Sequence, residues 1–79
     1  MATGLNTGIR LGTLKKGAKG IVTEISDEQA AGRMMAMGIL IGSEVTMIRK
    51  SPFGGACYVK VDNLLIALRK TEANSILLK

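Results

Sequence analysis

Short runs of alternating apolar and polar residues dominate this chain, and turn residues separate them. The runs "GIVTEI", "SEVTMIRK", "ACYVKV" and "LLIALRK" fit an alternation between two faces, which is the side-chain pattern of a β-strand. "SPFGG" and an Asp-Asn pair lie between the later runs, where turn-forming residues allow the chain to reverse direction. With the closing "ILLK", the pattern predicts a mainly β protein of about five short strands.

One helix is expected between the first and second of these strands. In "SDEQAAGRMMAMG", Ser26 is predicted to cap the helix N-terminus, and Gln29 follows at the spacing of a capping box. Gly38 suits the left-handed conformation that commonly ends a helix. The predicted fold is therefore a small, partly closed antiparallel β-barrel covered at one end by the inserted helix.

The helix carries three closely spaced methionines, Met34, Met35 and Met37. Helical spacing places Met34 and Met37 on one face and Met35 on the adjacent stripe, while Arg33 projects from the opposite side. Filling a core is a commoner role for methionine than binding a soft metal ion. The methionines are expected to lie largely on the buried face.

A chain of 79 residues supports a single core. We expect residues 11–79 to form one domain and residues 1–10 to be a flexible tail. The single cysteine, Cys57, cannot form an intramolecular disulfide, so a reducing, cytoplasmic compartment is expected. No apolar stretch reaches the roughly 20 residues that a membrane-spanning helix requires.

The residue types argue against catalysis and against a metal centre within one chain. The sequence has no histidine, and its six carboxylates are scattered, so it offers neither an acid and base pair near neutral pH nor a tetrahedral ligand set. We expect a protein that is not an enzyme and that has no catalytic residue, cofactor or metal ligand.

The "SPFGG" loop and the net charge of +5 suggest a binding role. An aromatic side chain on a rigid turn can anchor another protein, and Arg49 and Lys50 could steer an acidic partner. The alternative is that Phe53 folds back and covers the mouth of the barrel. The basic charge also leaves open a nucleic-acid-binding module, although the chain has only Phe53 and Tyr58 for stacking.

Three segments in order, "LGTLKKGAKGIVTEI", "RMMAMGILIGSEVTMIRKSPFGGACYVKV" and "LIALRKTEANSILL", resemble the FeoA family, the small cytoplasmic proteins of bacterial ferrous iron transport. The resemblance extends over residues 11–78. It implies an SH3-like β-barrel and an accessory or regulatory protein that docks on the cytoplasmic G-protein region of FeoB, the membrane transporter. It also implies a likeness to the metal-sensing barrels of iron-dependent repressors, which is a third possible role.

An activating role toward the G domain would require an arginine that reaches the transition state, and Arg33, Arg49 and Arg69 are the candidates. The predicted partner-binding residues are Arg33, Arg49, Pro52, Phe53, Gly54 and Gly55.

Overall fold

The computed structural model of the protein describes residues 8–79. Six strands form one sheet in the order β1-β6-β2-β3-β4-β5, and all neighbouring strands are antiparallel. The strands are β1 (Ile9–Arg10), β2 (Lys19–Ile25), β3 (Glu44–Lys50), β4 (Ala56–Val61), β5 (Leu64–Arg69) and β6 (Ile76–Leu78). The helices are a 3-10 turn (Leu11–Thr13), α1 (Glu28–Ala36) and α2 (Lys70–Asn74). The prediction of a mainly β fold with a helix inserted early in the chain is confirmed.

The sheet is open, whereas a partly closed barrel was expected. Strands β1 and β5 stand at opposite ends of the strand order and do not pair with each other. Irregular pairing interrupts β2 between Val22 and Glu24, and β3 between Met47 and Arg49. Such bulges bend a strand and increase its twist. The second of them lies at Ile48, the residue between Met47 and Arg49 that has no partner in the register.

Strand β1 is the element that the sequence pattern missed. Ile9 pairs with Leu78 and Arg10 with Leu77, although both residues belong to the segment predicted to be a tail. Residues 1–7 of that predicted tail lie outside the described residues. Both β1 side chains are exposed, and a two-residue strand is too short to show alternation.

A single buried cluster joins the long strands, β6 and both α-helices. It consists of Leu11, Leu14, Val22, Met34, Ile39, Val45, Met47, Cys57, Val59, Val61, Ile66, Leu68, Ala73, Ile76 and Leu78. In β3 and β4 buried positions alternate with exposed or half-buried ones, as the alternation of the two runs predicts.

The cap of helix α1 differs from the prediction. Asp27, not Ser26, is the N-cap, and its Oδ1 accepts hydrogen bonds from the backbone N–H groups of Gln29 (2.9 Å) and Ala30 (3.4 Å). Both the backbone N–H and the hydroxyl of Ser26 donate instead to the Ser75 carbonyl. Ser26 therefore continues the pairing of β2 with β6, and the helix begins one residue later than a Ser26 cap would allow.

The methionines divide between the core and the surface. Met34 is completely buried, Met37 is half-buried, and Met35 is 59% exposed. The core prediction was thus right for Met34 and wrong for Met35. Helix α1 packs along a narrow stripe, where only Ala30 and Met34 are buried.

Gly38 ends α1 as predicted. Its φ is +99°, and its N–H donates to the Met35 carbonyl while the N–H of buried Ile39 donates to the Met34 carbonyl. These two bonds form a Schellman motif, which favours glycine at the left-handed position.

Replacing Gly38 with alanine is expected to lower the free energy of unfolding by about 1–2 kcal/mol, because a Cβ strains this backbone conformation. Gly32→Ala is the matched control. An added Cβ at Gly32 meets nothing within 4 Å, and alanine in a helix should stabilise the protein by about 0.5–1 kcal/mol. Urea unfolding measures both variants, and equal effects of the same sign would contradict the assignment.

Candidate partner-binding site

The loop between β3 and β4, residues 51–55, is held by a dense set of local hydrogen bonds. The Ser51 N–H donates to the Ala56 carbonyl (2.9 Å), and the Ala56 N–H donates to the Ser51 hydroxyl oxygen (3.1 Å). The Gly54 N–H donates to the Ser51 carbonyl (3.0 Å), and Gly54 has a φ of +74°. The loop is a defined turn whose shape depends on glycine at position 54.

Phe53 lies at the tip of this turn and is 98% exposed. The alternative that it folds back over the core is wrong. Pro52, Gly54 and Gly55 are exposed beside it. An aromatic ring so fully exposed contributes almost nothing to the protein's own packing. A partner could bury the apolar surface of this ring in an interface.

Cations surround the base of this loop. Arg49 and Lys50 end β3, immediately before the loop. Arg69 pairs with Ala56 across β4 and β5, and the Lys70 N–H donates to the Gly55 carbonyl (3.2 Å). The backbone therefore brings four exposed cations to the same end of the sheet as Phe53. We call Arg49, Lys50, Arg69 and Lys70 the basic rim.

Arg49 also lies over an aromatic ring. Its Cζ is 5.5 Å from the centroid of Tyr58, the residue opposite it on β4. A guanidinium at this distance from a ring makes a cation–π contact. The contact holds Arg49 against the outer face of the sheet.

Arg33 reaches the site region from helix α1. Its Nη2 lies 2.7 Å from Oε2 of Glu72, in the only salt bridge among residues 8–79. The other carboxylate oxygen of Glu72, Oε1, accepts the backbone N–H of Arg69 at 2.9 Å. Glu72 thus ties α1 to the junction of β5 and α2. A groove of about 170 Å³ opens at this contact, lined by Asp27, Gln29, Ala30, Arg33, Thr71 and Glu72.

The predicted partner-binding residues therefore occupy two connected places. Pro52, Phe53, Gly54 and Gly55 form the loop, and Arg49 belongs to the rim, whereas Arg33 is joined to the rim through Glu72. Glu72, Arg69 and Lys70 are not among the six residues predicted from the sequence. Sheet register brings Arg69 and Lys70 to the loop, and such register cannot be read from local alternation.

Removal of the Arg33 side chain is expected to lower the free energy of unfolding by about 1 kcal/mol. The Glu72 side chain is only 9% exposed, but that of Arg33 is 62% exposed, so water screens much of the interaction. A double-mutant cycle of Arg33→Ala with Glu72→Gln, followed by urea unfolding, should give a coupling energy of about 0.5–1 kcal/mol. Additive effects of the two substitutions would show that the ion pair does not stabilise the fold.

A second groove lies on the sheet away from the loop. It has a volume of about 210 Å³ and is lined by Glu44, Thr46, Lys60 and Asp62. Glu44 begins β3 and Asp62 lies in the turn after β4, so both carboxylates stand at the end of these strands opposite the loop. This end of the sheet therefore holds two carboxylates together with the cation Lys60.

Among residues 8–79, no helix is long and apolar enough to cross a membrane. The six antiparallel strands, the helix inserted after the second of them and the exposed hairpin loop define a small SH3-like β domain. The model of the FeoA domain family matches residues 9–79. The chain belongs to the FeoA family.

Solved structures agree with this assignment. The FeoA-like protein from Clostridium acetobutylicum is 29% identical, with a TM-score of 0.83 over 91% of this chain and 85% of that one. FeoA from Stenotrophomonas maltophilia, described as a procaryotic SH3 domain protein complexed with zinc, is also 29% identical, with a TM-score of 0.77 over 90% of this chain and 89% of that one. The SH3-like prediction is confirmed. A comparison with curated proteins finds no match.

A manganese-dependent transcriptional repressor shares the same domain. It is 25% identical, with a TM-score of 0.82, and the match covers 90% of this chain but only 40% of the repressor. The fold therefore occurs both as a small separate protein and as one part of a larger one.

The Stenotrophomonas protein is complexed with zinc, and a zinc site in this chain would need its own set of ligand side chains. The sequence has no histidine, and Cys57 is buried in the core. Within residues 8–79, no three side chains of the types His, Cys, Asp and Glu come together. Both Glu72 oxygens already face cationic or N–H donors. The side chains of residues 8–79 thus offer no set of zinc ligands from one chain.

Proposed function

We propose that this protein is a non-enzymatic accessory factor of ferrous iron transport, located in the cytoplasm, which docks on the cytoplasmic G-protein region of FeoB. The observation that carries the proposal is the fully exposed ring of Phe53 on a hydrogen-bonded turn, next to the basic rim. An aromatic anchor beside cations is suited to an apolar pocket with acidic residues around it.

Family membership supports the link to iron. The Stenotrophomonas relative is described as possibly acting as a bacterial ferrous iron transport activating factor, and a Clostridium thermocellum relative, 25% identical, as iron(II) transport protein A.

The charge distribution supports an acidic partner surface. None of the four rim cations has a carboxylate within salt-bridge distance among residues 8–79, so their charge is available to a partner. Arg49 is already positioned by Tyr58, which lowers the entropic cost of using it in an interface.

Calorimetric titration of the protein into the purified cytoplasmic region of FeoB tests the proposal. We expect binding that weakens as salt rises, because the rim charges are solvent-exposed and screened. The double variant Lys50→Glu/Lys70→Glu should weaken binding by about tenfold or more at low salt.

The matched control is Lys15→Glu/Lys16→Glu, which changes the net charge by the same amount at exposed positions outside the rim. It should reduce affinity far less than the rim variant. No heat and no association at low salt would refute the docking proposal. Equal losses of affinity for the two variants would show that binding depends on net charge and not on the rim as a defined surface.

A further inference from the structure

Strand β5 forms a free edge of the sheet. It ends the strand order and pairs on one side only, with β4, over its full six residues. The opposite edge, β1, has only two residues. Among the described residues, β5 is thus the longer stretch of strand with an unoccupied side.

The pairing register shows which backbone groups of β5 point away from β4. Val61 and Leu64 flank the two-residue turn at Asp62 and Asn63, and in such a hairpin the flanking residues bond to each other. Residue pairs that are hydrogen-bonded to each other then recur at every second position along β4 and β5. Leu64, Ile66 and Leu68 direct their N–H and C=O groups to β4.

The remaining residues of β5, Leu65, Ala67 and Arg69, direct their N–H and C=O groups away from β4. The Lys70 N–H bond to the Gly55 carbonyl continues the same phase at the far end of the hairpin. The outward N–H of Arg69 is taken by Glu72. Leu65 and Ala67 are left to present two N–H and two C=O groups at the edge, and no backbone partner among residues 8–79 bonds to them.

This edge lacks the features that normally protect a strand from pairing. Residues 64–68 are Leu-Leu-Ile-Ala-Leu, with no lysine, proline or glycine, and no bulge interrupts their pairing with β4. Leu65 is 73% exposed, and Leu64 and Ala67 are exposed as well. Natural edge strands are usually short, charged, bulged or covered.

The charges around β5 indicate what would pair with it. Its outer face carries Leu65, Ala67 and then Arg69, while Lys60 lies opposite Leu65 on β4. This face is apolar at Leu65 and Ala67, with Lys60 beside its first end and Arg69 at its second. A second copy of this chain would bring the same cations and another net charge of +5 against them, which disfavours self-pairing.

We propose that β5 receives an extended acidic peptide segment of a partner protein as an added antiparallel strand. The backbone groups of Leu65 and Ala67 bond to the segment, an apolar side chain of the segment packs on Leu65, and acidic side chains lie toward Arg69. Main-chain pairing of this kind supplies affinity, and alternate side chains supply specificity. This proposal does not depend on FeoB being the partner.

Amide hydrogen exchange of the full chain, followed by NMR, tests the added strand. The probe is a short capped peptide with glutamates in its N-terminal half and valines in its C-terminal half, so that an antiparallel strand places valine on Leu65 and glutamate toward Arg69. The control peptide replaces glutamate with lysine. We expect the acidic peptide to slow exchange at Leu65 and Ala67 by about tenfold or more when the site is saturated. The lysine peptide should leave both amides unprotected.

Ala67→Pro is the decisive variant. Proline removes an outward N–H while every hydrogen bond between β4 and β5 is kept, and Ile66 before it is already in the extended conformation that proline requires. The variant should abolish protection at Leu65, while unchanged exchange at Val59 and Val61 reports an intact sheet. If Ala67→Pro does not fold, Leu65→Lys, a typical edge-protecting residue, should abolish binding in its place.

The proposal fails if the acidic peptide leaves Leu65 and Ala67 unprotected, or if it perturbs the loop around Phe53 instead of β5. It also fails if protection appears without peptide and increases with protein concentration, because that result would show a second copy at the edge.

Discussion

Replacing Met34 with alanine is expected to lower the free energy of unfolding by about 2–5 kcal/mol, the range for removing a large apolar side chain from a closed core. Met34 is the completely buried methionine of α1, and it joins the helix to the cluster on the sheet. A domain of this size is held by only about 4–12 kcal/mol in total. The variant is therefore expected to be partly or wholly unfolded near 37 °C.

Its neighbour gives a close control. Met35→Ala removes the same atoms from the next position of the same helix, but Met35 is exposed, so stability should change by no more than about 0.5 kcal/mol. Urea unfolding followed by circular dichroism measures both. Similar losses for the two variants would mean that α1 does not pack as described.

Replacing Phe53 with alanine is expected to weaken binding to the FeoB cytoplasmic region by about 30-fold or more, the effect of removing an aromatic hot spot. The ring makes almost no contact within the protein, so the variant should retain the unfolding free energy of the parent to within about 0.5 kcal/mol. Calorimetric titration of parent and variant gives the ratio of affinities.

Ile41→Ala is the matched control for Phe53. Ile41 is another exposed apolar side chain, and it precedes β3, whereas the loop follows β3, so the length of a strand separates the two positions. Its loss should leave affinity nearly unchanged. A Phe53→Ala variant that binds as tightly as the parent would remove the loop from the interface.

The strands could be predicted where alternation is long and one face is buried. In β4, buried Cys57, Val59 and Val61 alternate with exposed residues, so the sequence defines the strand and its inner face. In β5 the same reasoning succeeds for Ile66 and Leu68 but not for Leu64, which is exposed at the start of the strand. Leu64 is exposed because it directly follows the turn at Asp62 and Asn63, and alternation does not encode closeness to a turn.

Other parts of the structure depend on contacts between distant segments. Strand β1 forms because β6 provides a partner for Ile9 and Arg10. Ser26 does not cap the helix because its N–H and its hydroxyl donate to the Ser75 carbonyl. The candidate partner-binding site also depends on contacts between distant segments. Alternation and loop composition indicate Phe53, but the contacts of Glu72 with Arg33 and with the N–H of Arg69 require the fold.

An NMR map of the surface that contacts FeoB tests directly whether the loop and the basic rim form the interface. The labelled protein is titrated with the unlabelled FeoB cytoplasmic region, and losses or shifts of amide signals are assigned to residues. We expect the largest changes at residues 49–56 and at Arg69 and Lys70. Changes centred on the opposite end of the sheet, at Glu44 and Asp62, with the loop unaffected, would contradict docking through the loop and the rim.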